Sequence, residues 1–318
     1  MKALKFGGGL TFVQNAAVPI RQGEALVQVT CAGICNTDLE IVKGYAGFQG
    51  TLGHEFVGRV VESPDASQID KRVAGEINAG CGKCNLCIAG DARHCPERTV
   101  LGIKGRDGAF AEFLSLPPQN LIEVPESISD EAAVFIEPLA AAFNILEQIT
   151  ITPSSEVAIV GDGKLAQLIT RVIAVTGGRL SAFGKHDEKL ELMRSAGAQC
   201  FHVERDSEPK HVFDVVIEAS GSARGMSIAL NLVKPRGVIV LKSTHHNPTL
   251  LDMSLVVVNE IQIIGSRCGR FRPAIDFLAS GGTDVRPLIS AEYPLEEGPL
   301  AFSKAAAPEI MKVILRVS

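Results

Sequence analysis

Residues 81–95 read CGKCNLCIAGDARHC, which gathers Cys81, Cys84, Cys87 and Cys95 into one short stretch. Four thiolates so close in sequence can surround one tetrahedral ion without help from any distant residue. Such a site is closed, and its work is to hold a loop in shape. Two disulfides or an iron-sulfur cluster would use the same residues. The opening residues, MKALKFGGGL, carry no hydrophobic signal region, so a cytoplasmic location is expected, and a reducing compartment favours structural zinc. His94 is expected to face solvent, because four sulfurs already fill the coordination sphere.

A second set of ligand types lies upstream, in the stretch CAGICNTDLEIVKGYAGFQGTLGHEF from Cys31 to Phe56. Cys35 offers a thiolate, His54 an imidazole and Glu55 a carboxylate, with Gly53 and Gly58 on either side of the pair. Three mixed ligands leave a fourth position for water or substrate, as catalytic zinc requires. Thr37 is placed to pass a proton from a metal-bound oxygen, and Asp38 to hold the far nitrogen of His54. The plainer reading makes Cys35 a small buried hydrophobe and His54-Glu55 a surface pair. Tyr45 and Phe48 are candidate pocket walls, although aromatic residues so placed are as often core.

The 318 residues are 46% hydrophobic and 21% charged, enough for two domains with sizeable cores. A net charge of -5 with no basic block argues against nucleic acid and anionic membrane as partners and leaves a small-molecule substrate. No apolar run reaches the roughly 20 residues that span a bilayer. The first part of the chain alternates apolar and polar positions (EALVQVT, FVGRVVE, KRVAGEI) and reads as a β-rich lobe. From about residue 156 the pattern changes. Continuous apolar runs at 157–160, 180–183, 214–219, 238–242 and 261–265 alternate with amphipathic segments, which predicts a doubly wound parallel sheet.

The first of those strands runs into Gly161-Asp162-Gly163-Lys164-Leu165-Ala166, a G-x-G-x-x-A turn before a helix. Gly161 permits the tight turn, Gly163 lets the backbone approach a pyrophosphate and Ala166 allows close packing of helix on strand. An NAD-binding fold usually carries an acid at the end of the second strand to accept from the ribose 2′-hydroxyl. Here that end is Gly184, followed by Lys185 and His186. With a cation in place of a carboxylate, NADP(H) is favoured over NAD(H). Asp187 is expected to cap the helix that ends at Gly197.

Taken together, Cys35-x-Thr37-Asp38, Gly53-His54-Glu55-x-x-Gly58 and the four-cysteine lobe resemble the zinc-dependent medium-chain alcohol and polyol dehydrogenases, and the likeness extends over essentially the whole chain. The resemblance implies an α/β architecture: a β-rich GroES-like catalytic domain, 1–137 with 269–318, and a Rossmann coenzyme domain, 138–268. It implies that Glu137 joins Cys35, His54 and Glu55 around the catalytic zinc, as in the polyol-dehydrogenase-like members. An acid before proline at a helix start is also common for dipole reasons alone. Ser220, Ser243 and Thr244 would line the nicotinamide side, Ser266 and Cys268 would meet the carboxamide through backbone atoms, and Lys312 would pair with the pyrophosphate.

The implied reaction moves a hydride between a nicotinamide coenzyme and an alcohol or carbonyl, with polyols and aldoses among the candidate substrates. The proton would leave through Thr37. Where many alcohol dehydrogenases end that relay in histidine, this chain has Glu40, as in the glucose-dehydrogenase-like branch. Glu40 could accept the proton, contact a polar substrate or simply stand at a helix start. A homodimer or homotetramer is expected. Two other readings keep the fold: a noncatalytic dinucleotide-binding scaffold or redox sensor, and a zinc-free enone reductase. The intact metal ligands disfavour both.

Overall fold

The computed structural model describes residues 1–44, 47–207, 209–244, 249 and 251–317. It divides into two compact units, 1–137 with 271–318, and 138–270. Tyr45 lies outside the described residues. No helix among the described residues is long and apolar enough to cross a membrane.

The first unit is organised around the strand Ala25–Ile34. One neighbour is Glu55–Glu62, antiparallel, with Gly33 opposite Glu55 and Val29 opposite Gly58. The other is Lys312–Arg316, with Ile314 opposite Gly33 and Val313 opposite Ile34. Strand Phe113–Leu116 also pairs with Ala25–Ile34, and strands Arg72–Gly75, Leu121–Glu123 and Ile289–Pro294 complete a seven-stranded sheet. A side chain at Gly58 would run into the Gln28 carbonyl and Val27, so the close approach of these strands depends on glycine. Because a one-residue slip would turn every side chain to the opposite face, this register is what places Cys35, Glu55 and Lys312 at one end of the sheet.

The cysteine lobe hangs from a short two-stranded ladder, Asn78–Ala79 with Thr99–Val100, and contains little other regular structure.

In the second unit six parallel strands run in the order Gln199–His202, Arg179–Gly184, Glu156–Val160, Phe213–Glu218, Val233–Leu241, Gln262–Gly265. This is the doubly wound sheet expected from the apolar runs. The edge strand Gln199–His202 was not among those runs, because its half-exposed sequence, QCFH, has no continuous apolar stretch. Phe183 makes the core there, stacked on Phe201 with ring centroids 5.0 Å apart and meeting Phe213 edge-on at 5.7 Å. Asp187 is not the helix cap: His186 takes that position, Asp187 is the first residue of the helix Asp187–Ser195, and its carboxylate pairs with Arg205. Gly197, just past the helix, has φ +98°, as a glycine stop requires.

Candidate functional site

Cys35 follows directly on the strand Ala25–Ile34 and caps the short helix Asn36–Val42. Asp38, in the first turn, accepts the Cys35 N–H with Oδ2 (2.8 Å) and the Gly53 N–H with Oδ1 (3.2 Å). One fully buried carboxylate therefore ties the helix start to the segment carrying His54. Gly53 has φ +96°, and a side chain there would strike the Phe110 ring. The loop 108–110 clamps the same segment: the Gly108, Ala109 and Phe110 N–H groups donate to the carbonyls of Thr51, Gly53 and Leu52.

These constraints bring ligand atoms of Cys35, His54 and Glu55 within 4.8 Å of one another. His54 Nδ1 stands 3.3 Å from Asp38 Oδ1, which leaves Nε2 as the ligand nitrogen. The alignment falls short of a hydrogen bond, so Asp38 acts on the buried Nδ1 by charge. Burial opposes a charge on His54, but Asp38 and the Cys35 thiolate outweigh it and hold the imidazole pKa well above its usual value. Asp38 and Glu55 are buried beside one thiol and one imidazole. Such a donor set calls for a cation at its centre, and zinc suits mixed sulfur, nitrogen and oxygen ligands. Glu137 stands in the first turn of the helix Ile136–Gln148 and is 9% exposed. It lies outside the three-residue ligand group, although its charge reaches Lys312.

Lys312, which the resemblance assigned to the pyrophosphate, is paired with Glu55 Oε2 inside the first unit, its side chain 4% exposed. Burial works against its charge, but Glu55, Cys35 and Glu137 prevail and raise its pKa. Its Nζ also sits 5.4 Å from the centre of the Phe135 ring. Gly33 makes room for the pair, since a Cβ there would stand 2.5 Å from both Glu55 Oε2 and a Val134 methyl.

Of the other first-unit expectations, Thr37 is half-buried, with its hydroxyl 3.7 Å from Cys35 Sγ. Glu40 Oε1 is 3.0 Å from Lys43 Nζ, one turn along the helix, and is not part of the ligand group. Phe48 is buried and behaves as core.

The four lobe cysteines also converge, with all four sulfurs within 4.8 Å. Each is a free thiol, which removes the disulfide alternative. The Cys81 N–H points at Cys95 Sγ (3.4 Å), an arrangement suited to a thiolate. Desolvation, only partly offset by the Gly82 N–H, combines with hydrogen bonds from Cys84, Cys95 and Cys81 to push the Cys87 pKa up to about 12. His94 is exposed and bonded to Asp91 (2.8 Å), as expected of a residue outside the sphere.

In the second unit Gly161 has φ +117°, and a Cβ there would stand 2.7 Å from the Ala219 carbonyl. Gly163 caps the helix Lys164–Ala174, and nothing lies within 4 Å of where its side chain would be. That open backbone at a helix N-terminus fits a pyrophosphate. Lys164 and Leu165 open the helix. Ser220 is held by Glu218, which accepts from its N–H (2.9 Å) and its hydroxyl. Ser243 accepts the Gly221 N–H (2.8 Å), and Thr244 is exposed. Ser266 is buried; its N–H donates to the Leu241 carbonyl, and its hydroxyl accepts from Asn144 and Lys242. Lys242, which the sequence reading passed over, also donates to the carbonyls of Ala141 and Arg267, one residue before the half-buried Cys268. At the end of the second strand Lys185 is exposed, while Gly184 is buried against a carboxylate that comes from elsewhere: Asp162 Oδ2 accepts the Lys185 and His186 N–H groups at 2.7 and 2.8 Å. The strand end is therefore not free of acids, contrary to the expectation from the sequence.

Comparison with known proteins agrees with this geometry. Residues 21–126 match the alcohol dehydrogenase GroES-like domain, and residues 165–280 match the zinc-binding dehydrogenase domain. L-threonine 3-dehydrogenase of Coxiella burnetii is 30% identical over 316 residues, covering 92% of this chain and 91% of that one. Sorbitol dehydrogenase of Halalkalibacterium halodurans is 26% identical over 340 residues, with 99% of each chain covered. A zinc-binding dehydrogenase from Sinorhizobium meliloti 1021, solved with NADP bound, superposes with a TM-score of 0.89 at 28% identity, covering 99% of this chain and 98% of its own.

Proposed function

We propose, from the premise that this chain belongs to the zinc-dependent medium-chain dehydrogenase family and is a nicotinamide-dependent alcohol dehydrogenase, that it interconverts a secondary or primary alcohol of the polyol or aldose class with its carbonyl compound, using NADP(H) in preference to NAD(H). The observation that carries this reading is the buried group of Cys35, His54 and Glu55, mixed in ligand type and backed by a lysine. Cys35, His54 and Glu55, with Glu137 as a further ligand, would hold a zinc that supplies Lewis acidity toward the substrate oxygen. Cys81, Cys84, Cys87 and Cys95 would hold a second zinc that fixes the lobe.

The protein's own groups divide the remaining work. Asp38 orients His54 through Nδ1, so that Nε2 keeps its lone pair for the metal. Lys312 neutralises Glu55 and prevents the buried acids from repelling one another. Thr37, beside Cys35, takes the substrate proton at Oγ1 and passes it on. Gly161 and Gly163 receive the pyrophosphate, and the exposed Lys185 supplies the charge that favours a 2′-phosphate. The glycine turn and the metal ligands are both present, as turnover requires and a scaffold role does not.

The homodimer or homotetramer belongs to this proposal. Exposed Met253, Val257 and Val258 lie on the helix Met253–Val258, shortly before the sheet-edge strand Gln262–Gly265, and form an apolar surface for a second copy to cover. Sedimentation of the purified chain tests that part.

The functional test is NADPH and NADH consumption by the zinc-loaded protein over a panel of aldehydes, ketones, ketoses and aldoses, with alcohol oxidation run in reverse. Turnover with a sugar or polyol and a higher kcat/KM with NADPH supports the reading. Turnover confined to simple aliphatic substrates, or a preference for NADH, overturns the corresponding part.

A further inference from the structure

Asp162 sits between the two glycines of the turn, yet its side chain serves the end of the neighbouring strand. Besides the Lys185 and His186 N–H groups on Oδ2, both carboxylate oxygens lie within 2.9–3.0 Å of His186 Nδ1. The carboxylate is 9% exposed, so its charge is met inside the protein instead of being offered to a ribose. A Cβ on Gly184 would stand 2.7 Å from both Asp162 Cβ and Oδ2. The place from which an acid ordinarily reads the ribose 2′-hydroxyl is thus filled by Asp162, and the arrangement survives only while residue 184 is glycine.

Lys185 is the exposed cation beside this clamp, and His186 is anchored to Asp162 through Nδ1. His202 Nε2 lies 2.8 Å from the Lys185 carbonyl and braces the same turn from the adjacent strand. The next acid in the chain, Asp187, is taken up by Arg205.

We propose that Asp162 is a positioning residue for the coenzyme: it clamps the 184–186 turn so that Lys185 meets the 2′-phosphate of NADP(H), and it excludes an acidic side chain from position 184. This rests on the NADP(H) reading given above. Asp162 acts through the turn and does not itself touch the phosphate.

The test is calorimetric binding of 2′,5′-ADP and of 5′-AMP to the zinc-loaded full chain, as wild type, Asp162→Ala and Asp162→Asn. Wild type should favour 2′,5′-ADP by about tenfold or more. Asp162→Ala should lose about tenfold in 2′,5′-ADP affinity while 5′-AMP moves less than about twofold. Asp162→Asn, still able to accept the two backbone N–H groups, should recover most of the loss. Gly184→Ala, which crowds the carboxylate out, gives a second route to the same selective loss if an Asp162 variant does not fold. Tighter 2′,5′-ADP binding by Asp162→Ala, or equal losses for both ligands, would overturn the proposal even if wild type prefers 2′,5′-ADP. A wild type that prefers 5′-AMP would instead sink the NADP(H) reading beneath it.

Discussion

Cys81, Cys84, Cys87 and Cys95 reach one point through a short, continuous piece of chain, whereas Cys35, His54 and Glu55 are brought together by the register of the strand Ala25–Ile34 against Glu55–Glu62. The first cluster uses a single ligand type, in a partly exposed lobe with only a two-stranded ladder to support it. The second mixes three ligand types, buries His54 and Glu55 almost completely, and surrounds them with Asp38, Glu137 and Lys312. A site that only closes a loop needs four donors and little else. A site that must leave a position open has to keep its ligands in place by other means, so more of the fold is committed to holding it.

Four changes would break or sharpen this contrast. Cys35→Ser should cut turnover by about a thousandfold or more, worth about 4 kcal/mol in the barrier, with the far-ultraviolet spectrum unchanged. The corresponding change in the lobe, Cys95→Ser, should act chiefly on stability, read as a lower melting temperature. Lys312→Met leaves the Glu55 carboxylate buried and unpaired and should destabilise the zinc-free protein by about 3–5 kcal/mol in urea unfolding, with part of the loss recovered when zinc is added. No counterpart to that effect is expected in the cysteine lobe. Asp38→Asn should weaken zinc at the mixed site by about 10–100-fold in chelator competition and leave the lobe's zinc in place.

The smallest effect concerns pH. The Cys87 pKa is raised from 9.0 to about 12 in the metal-free lobe, so the thiol keeps its proton at neutral pH and must release it on binding metal. Zinc affinity therefore rises with pH and weakens as pH falls. With four thiols to deprotonate, the lobe should lose zinc more steeply between about pH 7 and 5 than the mixed site does. Chelator competition at several pH values measures both slopes, and equal slopes would contradict the assignment of ligands.

The sequence exposed what is local and hid what is assembled. The cysteine spacing, the His54-Glu55 pair and the turn at Gly161 and Gly163 are contiguous patterns, each with a physical reason to be read directly. The parallel sheet was visible because strands buried on both faces leave continuous apolar runs; the edge strand Gln199–His202 leaves none. The pairing of Lys312 with Glu55 spans 257 residues and depends on strand register, so a lysine near the C-terminus gave no sign of it. Gly33 is the local clue, as a glycine inside an otherwise apolar strand marks a close approach. Asp162 looked like filler between two glycines because nothing in a linear pattern shows that its carboxylate crosses to Lys185 and His186.

Two metal sites with separate duties are the centre of this mechanism, and elemental analysis of wild type and Cys35→Ser beside a turnover assay tests them most directly. Two zincs per wild-type chain, and one zinc with turnover abolished in the variant, is the predicted result. A variant that keeps both zincs, or that still turns over at the wild-type rate, would contradict it.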